Sequence, residues 1–149
     1  MTPVLGGSAR RGTVYVRRPG AYAVIVHPRG VLATLQRDRR GLDEMQLPGG
    51  GIDPGEGPVA ALHREAFEET GWSLRVLRRI GAYRRFVWMP EYRIHAEKVC
   101  HVYLARAGLR RGPPSEPGHR AAIVPPRAAL DGLASAGDRA MLRRALRIL

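Results

Sequence analysis

Leu47-Pro48-Gly49-Gly50-Gly51-Ile52-Asp53-Pro54-Gly55-Glu56-Gly57-Pro58, followed by Val59-Ala60-Ala61-Leu62-His63-Arg64-Glu65-Ala66-Phe67-Glu68-Glu69-Thr70-Gly71-Trp72, is the stretch that decides how this chain folds. Its second half carries helix signals at both ends. Pro58 suits a first helical turn, where a missing N–H costs nothing, and Gly71 suits a C-terminal stop. The reading is a helix over 58–70, with Val59, Leu62 and Ala66 on one apolar face at spacings of three and four. Glu65, Glu68 and Glu69 stand at i, i+3 and i+4 and project from one side. Like charges so placed cost roughly 0.2–0.5 kcal/mol per close pair. A divalent cation reverses that sign, and hard carboxylate oxygens suit Mg²⁺ or Mn²⁺, which also bind phosphates. The alternative is a solvated helix face, with Arg64 as a surface ion-pair partner. The first half, Pro beside three glycines, is read as irregular chain whose main-chain groups can approach a metal or a phosphate closely.

Outward from this segment the chain alternates strands and helices. Thr13–Val16, Tyr22–Val26 and Val31–Gln36 read as strands, with a turn at His27–Gly30 and a charged loop over 37–44. Residues 74–88 and 96–106 read as two strands joined around Pro90. A Pro/Gly loop over 112–120 precedes a short strand at Ala121–Val124. Helices are expected over 127–133 and 138–148, the second capped by Asp138. Residues 1–12 read as a loose tail and 13–149 as a single domain. Strands mixed with helices point to an α/β sandwich.

Composition narrows the partners. Lys and Arg number 25 and Asp and Glu 13, a formal net charge of +12 across 149 residues. Such an excess favours polyanions: nucleotides, nucleic acid or a membrane surface. Only Lys98 among the 25 cations is a lysine, a bias that explains Arg over Lys but not the excess charge. Seven of the 13 acids lie between Asp43 and Glu69. An acidic segment in a basic chain suits a metal serving an anionic substrate. The single cysteine, Cys100, excludes an internal disulfide and a multi-cysteine zinc site. No apolar run is long enough for a transmembrane helix, and the first residues lack a signal peptide's apolar core, so a cytoplasmic location is expected.

Gly50, then five residues to Glu56, then seven to Arg64-Glu65-Ala66-Phe67-Glu68-Glu69-Thr70-Gly71-Trp72, resembles the Nudix box G-x5-E-x7-R-E-u-x-E-E-x-G-u. Every charged and glycine position of the box is matched, and the bulky aliphatic positions u hold Ala66 and Trp72. The strand pattern around it fits the Nudix α/β/α sandwich, a mixed sheet between helices. The resemblance implies hydrolysis of a nucleoside diphosphate linked to a group X, by water attack at phosphorus with divalent cations. It implies Glu65 and Glu69 as principal metal ligands, with Glu68 binding a further metal and the Gly49 carbonyl as main-chain ligand. Arg64 then orients the glutamates. Gly50, Glu56 and Gly71 are structural, Glu56 at the loop–helix junction.

Glu65 is the first candidate for general base. Glu116 is the second, as the only acid of the loop Pro113–Arg120. Many relatives carry an acid where this chain has Arg120, so Glu116 is equally readable as a solvated residue. Arg84, Arg85 and Arg93 are candidates to grip substrate phosphates, or form a solvated edge. Tyr83, Phe86, Trp88 and Tyr92 could stack a base or pack the sheet. His27, His95 and His101 read as structural or surface residues, and Cys100 as buried. The substrate is read as a nucleoside triphosphate or related small nucleotide. The alternatives are the same chemistry on a larger polyanion, an RNA 5′ end or a diphosphoinositol polyphosphate, and a silent Nudix-like binding module. Nucleic acid is thus a possible partner, no membrane is expected, and monomer and homodimer stay open.

Overall fold

A computed structural model describes residues 2–149. Ten elements follow one another: β1 (Val16–His27), β2 (Gly30–Arg37), β3 (Asp43–Gln46), β4 (Gly49–Gly51), α1 (Pro58–Thr70), β5 (Trp72–Met89), β6 (Ile94–Arg110), β7 (His119–Val124), α2 (Pro126–Gly132) and α3 (Ala136–Ile148). The seven strands make one mixed sheet in the order β3-β2-β1-β6-β5, with β4 paired to β1 and β7 to β2. β1 and β6 run parallel, and the other pairs are antiparallel.

The alternation of β1 builds two cores. Ala21, Ala23 and Ile25 pack with Leu32, Tyr103 and Ala105 against Ala61, Leu62 and Ala66 of α1. Val24, with Tyr22 and Val26 beside it, joins Val102 and Leu104 against Ala129, Leu133, Met141, Leu142 and Ala145 of the C-terminal helices. A strand buried on both faces puts successive residues into opposite layers. The result is the expected sandwich, with helices on both sides of a mixed sheet.

α1 spans the residues its end signals indicate, and Gly71 closes it at φ 76°. A side chain at Gly71 would collide with the Gly112 carbonyl, so this stop is fixed by contact as well as by conformation. The apolar face differs by one residue: Val59 is exposed, and Ala61 is buried in its place.

Four further expectations are corrected. Asp43 and Glu44, placed in a loop, belong to β3, because the ladder to Arg37 and Gln36 continues through them. Gly49–Gly51, read as irregular, is a short strand, since Gly20–Tyr22 satisfies its backbone groups. Of Thr13–Val16, only Val16 is in a strand. Ser135, not Asp138, caps α3: its side chain accepts from the Asp138 N–H. Asp138 is instead buried and accepts from the Leu47 N–H at 3.1 Å and the Tyr83 hydroxyl at 2.8 Å. Within the segment read as loose, Val4 bridges Arg84 and the Leu5 N–H donates to the Arg84 carbonyl, so residues 3–7 run along β5. No helix among the described residues is long and apolar enough to cross a membrane.

Candidate active site

α1 and β4 bring the acidic segment together. Arg64 is its hub. The guanidinium donates to both carboxylate oxygens of Glu56, at 2.9 and 2.8 Å, to Glu65 Oε1 at 3.1 Å and to the Gly51 carbonyl at 3.1 Å. It also lies 3.6 Å from Glu68 and 3.4 Å from Asp53. Glu56 accepts the Asp53 N–H as well, and its carboxyl is held down at about 2 by these donors, Arg64 foremost. The loop before α1 is thereby bolted to the helix.

Glu69 is nearly buried. One of its oxygens accepts the Gly49 N–H at 3.1 Å, and burial pushes its carboxyl up to about 8, with Glu116 and Glu65 adding to the shift. Burial raises Glu65 too, against the opposing pull of Arg64. Gly50 lies against Glu65: a Cβ there would stand 2.5 Å from Oε2 and 2.9 Å from Oε1.

The loop before β7 closes the site. The Ser115 and Glu116 N–H groups both donate to the Glu68 carbonyl at 2.9 Å, one of the carbonyls that a helix C-terminus leaves free. Donor atoms of Glu65, Glu68 and Glu116 lie within 4.8 Å of one another, and so do those of Glu69, Glu116 and His119. His119 Nδ1 is 3.9 Å from Glu69, and Nε2 is 3.7 Å from Glu116. Glu116 Oε2 and His119 Nδ1 are buried without a hydrogen-bond partner. Converging carboxylates, one raised to about 8, beside a buried carboxylate oxygen without a partner fit a hard divalent cation, which needs such oxygens and offsets their repulsion.

A cleft of about 300 Å³ opens in front of these groups. Glu65, Glu69, Glu116 and His119 line one side, and Arg18, Lys98 and Tyr92 line another. The Arg18 guanidinium sits 4.5 Å over the Tyr92 ring, and the Lys98 ammonium 5.6 Å over Tyr22.

The arginines expected to grip substrate divide. Arg84 is turned away from the cleft: it pairs with Glu97 at 3.0 Å and donates to the Thr2 carbonyl. Arg93 occupies the β5–β6 turn at φ 53° and does not line the cleft. Arg85 lies in the adjoining basin. Arg18 and Lys98 carry the cleft's positive charge instead. The signal for them is parity: each continues its strand's face past the apolar run, Arg18 two steps before Tyr22, with Gly20 between, and Lys98 one step before Cys100. His119 is not among the expected site residues, although it stands three residues from Glu116.

Among the aromatics, Tyr83 is buried and donates to Asp138, while Phe86 packs edge-on against Tyr15. His27 lies edge-on to Trp72. Cys100 is buried, as expected. Arg120 pairs with Asp43 on β3.

The NUDIX domain profile matches residues 16–145, and the chain belongs to the Nudix family. Two curated relatives carry different activities. The chain is 30% identical over 105 residues to a CMP-5'-(N-acetyl-N-hydroxy-3-aminopropyl)phosphonate hydrolase of Streptomyces rubellomurinus, covering 68% of this chain and 48% of the relative. It is 33% identical over 93 residues to an ADP-ribose pyrophosphatase of Bacillus subtilis, covering 60% and 47%. The matches thus span about half the length of these relatives. A NUDIX hydrolase from Nitrosomonas europaea superposes with a TM-score of 0.73 over 89% of this chain and 90% of its own, at 19% identity, a likeness of fold.

Proposed function

We propose that this chain hydrolyses a diphosphate linkage in a small nucleotide, a nucleoside diphosphate joined to a further group, with Mg²⁺ or Mn²⁺ as cofactor. The observation that supports it most is the convergence of Glu65, Glu69, Glu116 and His119 on one cleft whose other wall carries Arg18 and Lys98, with Glu68 grouped beside Glu65 and Glu116. The relatives' printed activities, on a CMP derivative and on ADP-ribose, agree on a nucleotide joined to something else. Their difference leaves the further group unassigned.

Glu65, Glu68, Glu69 and the Gly49 carbonyl would hold the cation, which supplies charge neutralisation for the phosphate oxygens and acidifies water. Arg64 keeps Glu65 in place. Glu116 takes the proton of the attacking water: it belongs to both donor groups, and its Oε2 is free of other partners. As the water oxygen bonds to phosphorus, the bridging P–O bond breaks and its electron pair leaves with the departing phosphate. Arg18 and Lys98 bind the remaining negative charge of the substrate. A silent binding module has no use for an intact Arg64 hub and a half-exposed Glu116 whose Oε2 is buried without a partner.

Hydrolysis of a nucleotide panel, with Mg²⁺ titrated for each variant, tests this reading. Glu116→Gln should lower turnover by about 10²–10⁴-fold with metal affinity unchanged, as loss of a base does. Glu65→Gln should weaken metal affinity and turnover together. If Glu116→Gln weakens metal binding instead, Glu116 is a ligand and the base lies elsewhere. If no nucleotide is hydrolysed with either metal, the enzymatic reading fails.

A further inference from the structure

A second cavity, of about 300 Å³, opens past the end of α1, and none of the residues that line it lines the cleft. Its floor is sheet surface that the helix leaves uncovered. Leu32 of β2 is buried there, and its ladder partner Ile123 is half-buried. Ala121 lies two residues from Ile123 on the same face of β7. The half-buried Trp72 ring, with His27 edge-on against it, forms one wall. Pro114, from the loop that carries Glu116, forms another.

Two cations stand over this apolar floor: Arg29, in the β1–β2 turn, and Arg110, directly opposite Trp72 in the β5–β6 ladder. No acid lines the cavity. Neither arginine has an ion-pair partner among the described residues. The end of α1 does not account for them, although cations commonly serve the free carbonyls of a helix C-terminus. The Phe67 carbonyl accepts from the Gly71 N–H, the Glu68 carbonyl from the Ser115 and Glu116 N–H groups, and the Gly71 carbonyl from the Arg111 N–H. Main-chain donors therefore occupy these acceptors already. The Thr70 hydroxyl on the cavity wall is committed as well: it donates to the Ala66 carbonyl and accepts the Trp72 N–H. The two guanidinium groups are left to set the charge of the cavity.

A concave apolar floor with a few charged donors at its edge is the form that small-molecule sites take, and about 300 Å³ is the small end of their range. We propose that this cavity binds a small organic anion: a flat apolar body lies on Leu32 and Ile123 beside Trp72, and a carboxylate or phosphoryl group pairs with Arg29 and Arg110. The site is separate from the cleft and does not depend on its chemistry. Its occupant touches Pro114, two residues before Glu116.

Calorimetric titration with benzoate, phenylphosphonate, inorganic phosphate and benzyl alcohol tests it. One of the two aromatic anions should bind about tenfold or more tighter than both inorganic phosphate, which lacks the apolar body, and benzyl alcohol, which lacks the charge. Whichever aromatic anion binds tighter identifies the acidic group. Arg29→Ala and Arg110→Ala, both at exposed positions, should each weaken that binding about tenfold or more, the loss of a charge-assisted hydrogen bond. Arg18→Ala, which alters the cleft instead, should leave this binding within about twofold. The chain has two tryptophans, so in Trp88→Phe the emission reports Trp72 alone, and the aromatic anion should change it saturably over the same concentrations. Binding of both aromatic anions weaker than about 10 mM, no preference over phosphate and benzyl alcohol, or an affinity that survives both arginine substitutions overturns the site. A loss that appears in Arg18→Ala and not in the other two places the anion in the cleft and overturns it equally.

Discussion

Arg64 grips Glu56 by two parallel hydrogen bonds of 2.8 and 2.9 Å and reaches Glu65 with another nitrogen at 3.1 Å. One planar group therefore ties the loop to the helix and sets the carboxylate beside the cleft. Lysine offers a point charge and cannot span both. Arg64→Lys should lower kcat/KM by about a hundredfold at saturating Mg²⁺, roughly 2.7 kcal/mol of transition-state stabilisation. Activity within threefold of the parent would mean that Glu65 holds its position without Arg64.

The same pair gives a signed pH dependence. Glu56 has a folded value of about 2, below its ordinary 4.5. Between those values the unfolded chain binds a proton that the folded chain does not. The stabilisation is therefore present above pH 4.5 and is lost as pH falls towards 2. Melting temperatures of Glu56→Gln should fall less steeply than those of the parent over that window. Parallel curves would remove Glu56 from the acid response.

Glu69 behaves in the opposite sense. Its folded carboxyl is raised to about 8, so without metal it holds a proton that the unfolded chain releases above about 4.5. Stability of the metal-free protein should fall as pH rises from 4.5 to 8. A loss of 1–2 kcal/mol corresponds to roughly 3–8 °C in a chain of this size. Added Mg²⁺ should abolish most of the decline by favouring the ionised form. A scan of melting temperature against pH, with chelator and with Mg²⁺, decides it. A flat metal-free curve would argue against a protonated Glu69.

Gly50 offers a steric test. A methyl group there meets Glu65 Oε2 at 2.5 Å, so the carboxylate must move. Gly50→Ala should lower turnover at least tenfold while the melting temperature changes by only a few degrees, because the clash is with a side-chain end and not with the core. An unchanged rate would show that Glu65 can shift without consequence.

Much of this site was legible in the chain, and for a local reason. Pro58, Gly71 and the i, i+3, i+4 glutamates act within one helix, where spacing fixes direction. Glu116 could be singled out as an isolated acid, yet its place depends on the Glu68 carbonyl, a contact across 48 residues that no local pattern encodes. Gly49–Gly51 looked irregular because its strand character is supplied by Gly20–Tyr22. Arg84 and Arg85 are neighbours of identical type. Only the strand's parity, anchored by β6, sends one to Glu97 and the other to the basin beside the cleft.

The anchor of Glu116 is main chain to main chain. The last turn of α1 has a carbonyl in need of donors, and the loop has two N–H groups to give. The Ser115 hydroxyl adds only a longer contact to the same carbonyl, at 3.5 Å. Pro113, Pro114 and Pro117 are therefore free to drift without moving the carboxylate, so the loop can be reshaped for new ligands while Glu116 stays aligned with the helix beneath it. The position of Glu116 is inherited from the architecture and survives change in the residues around it.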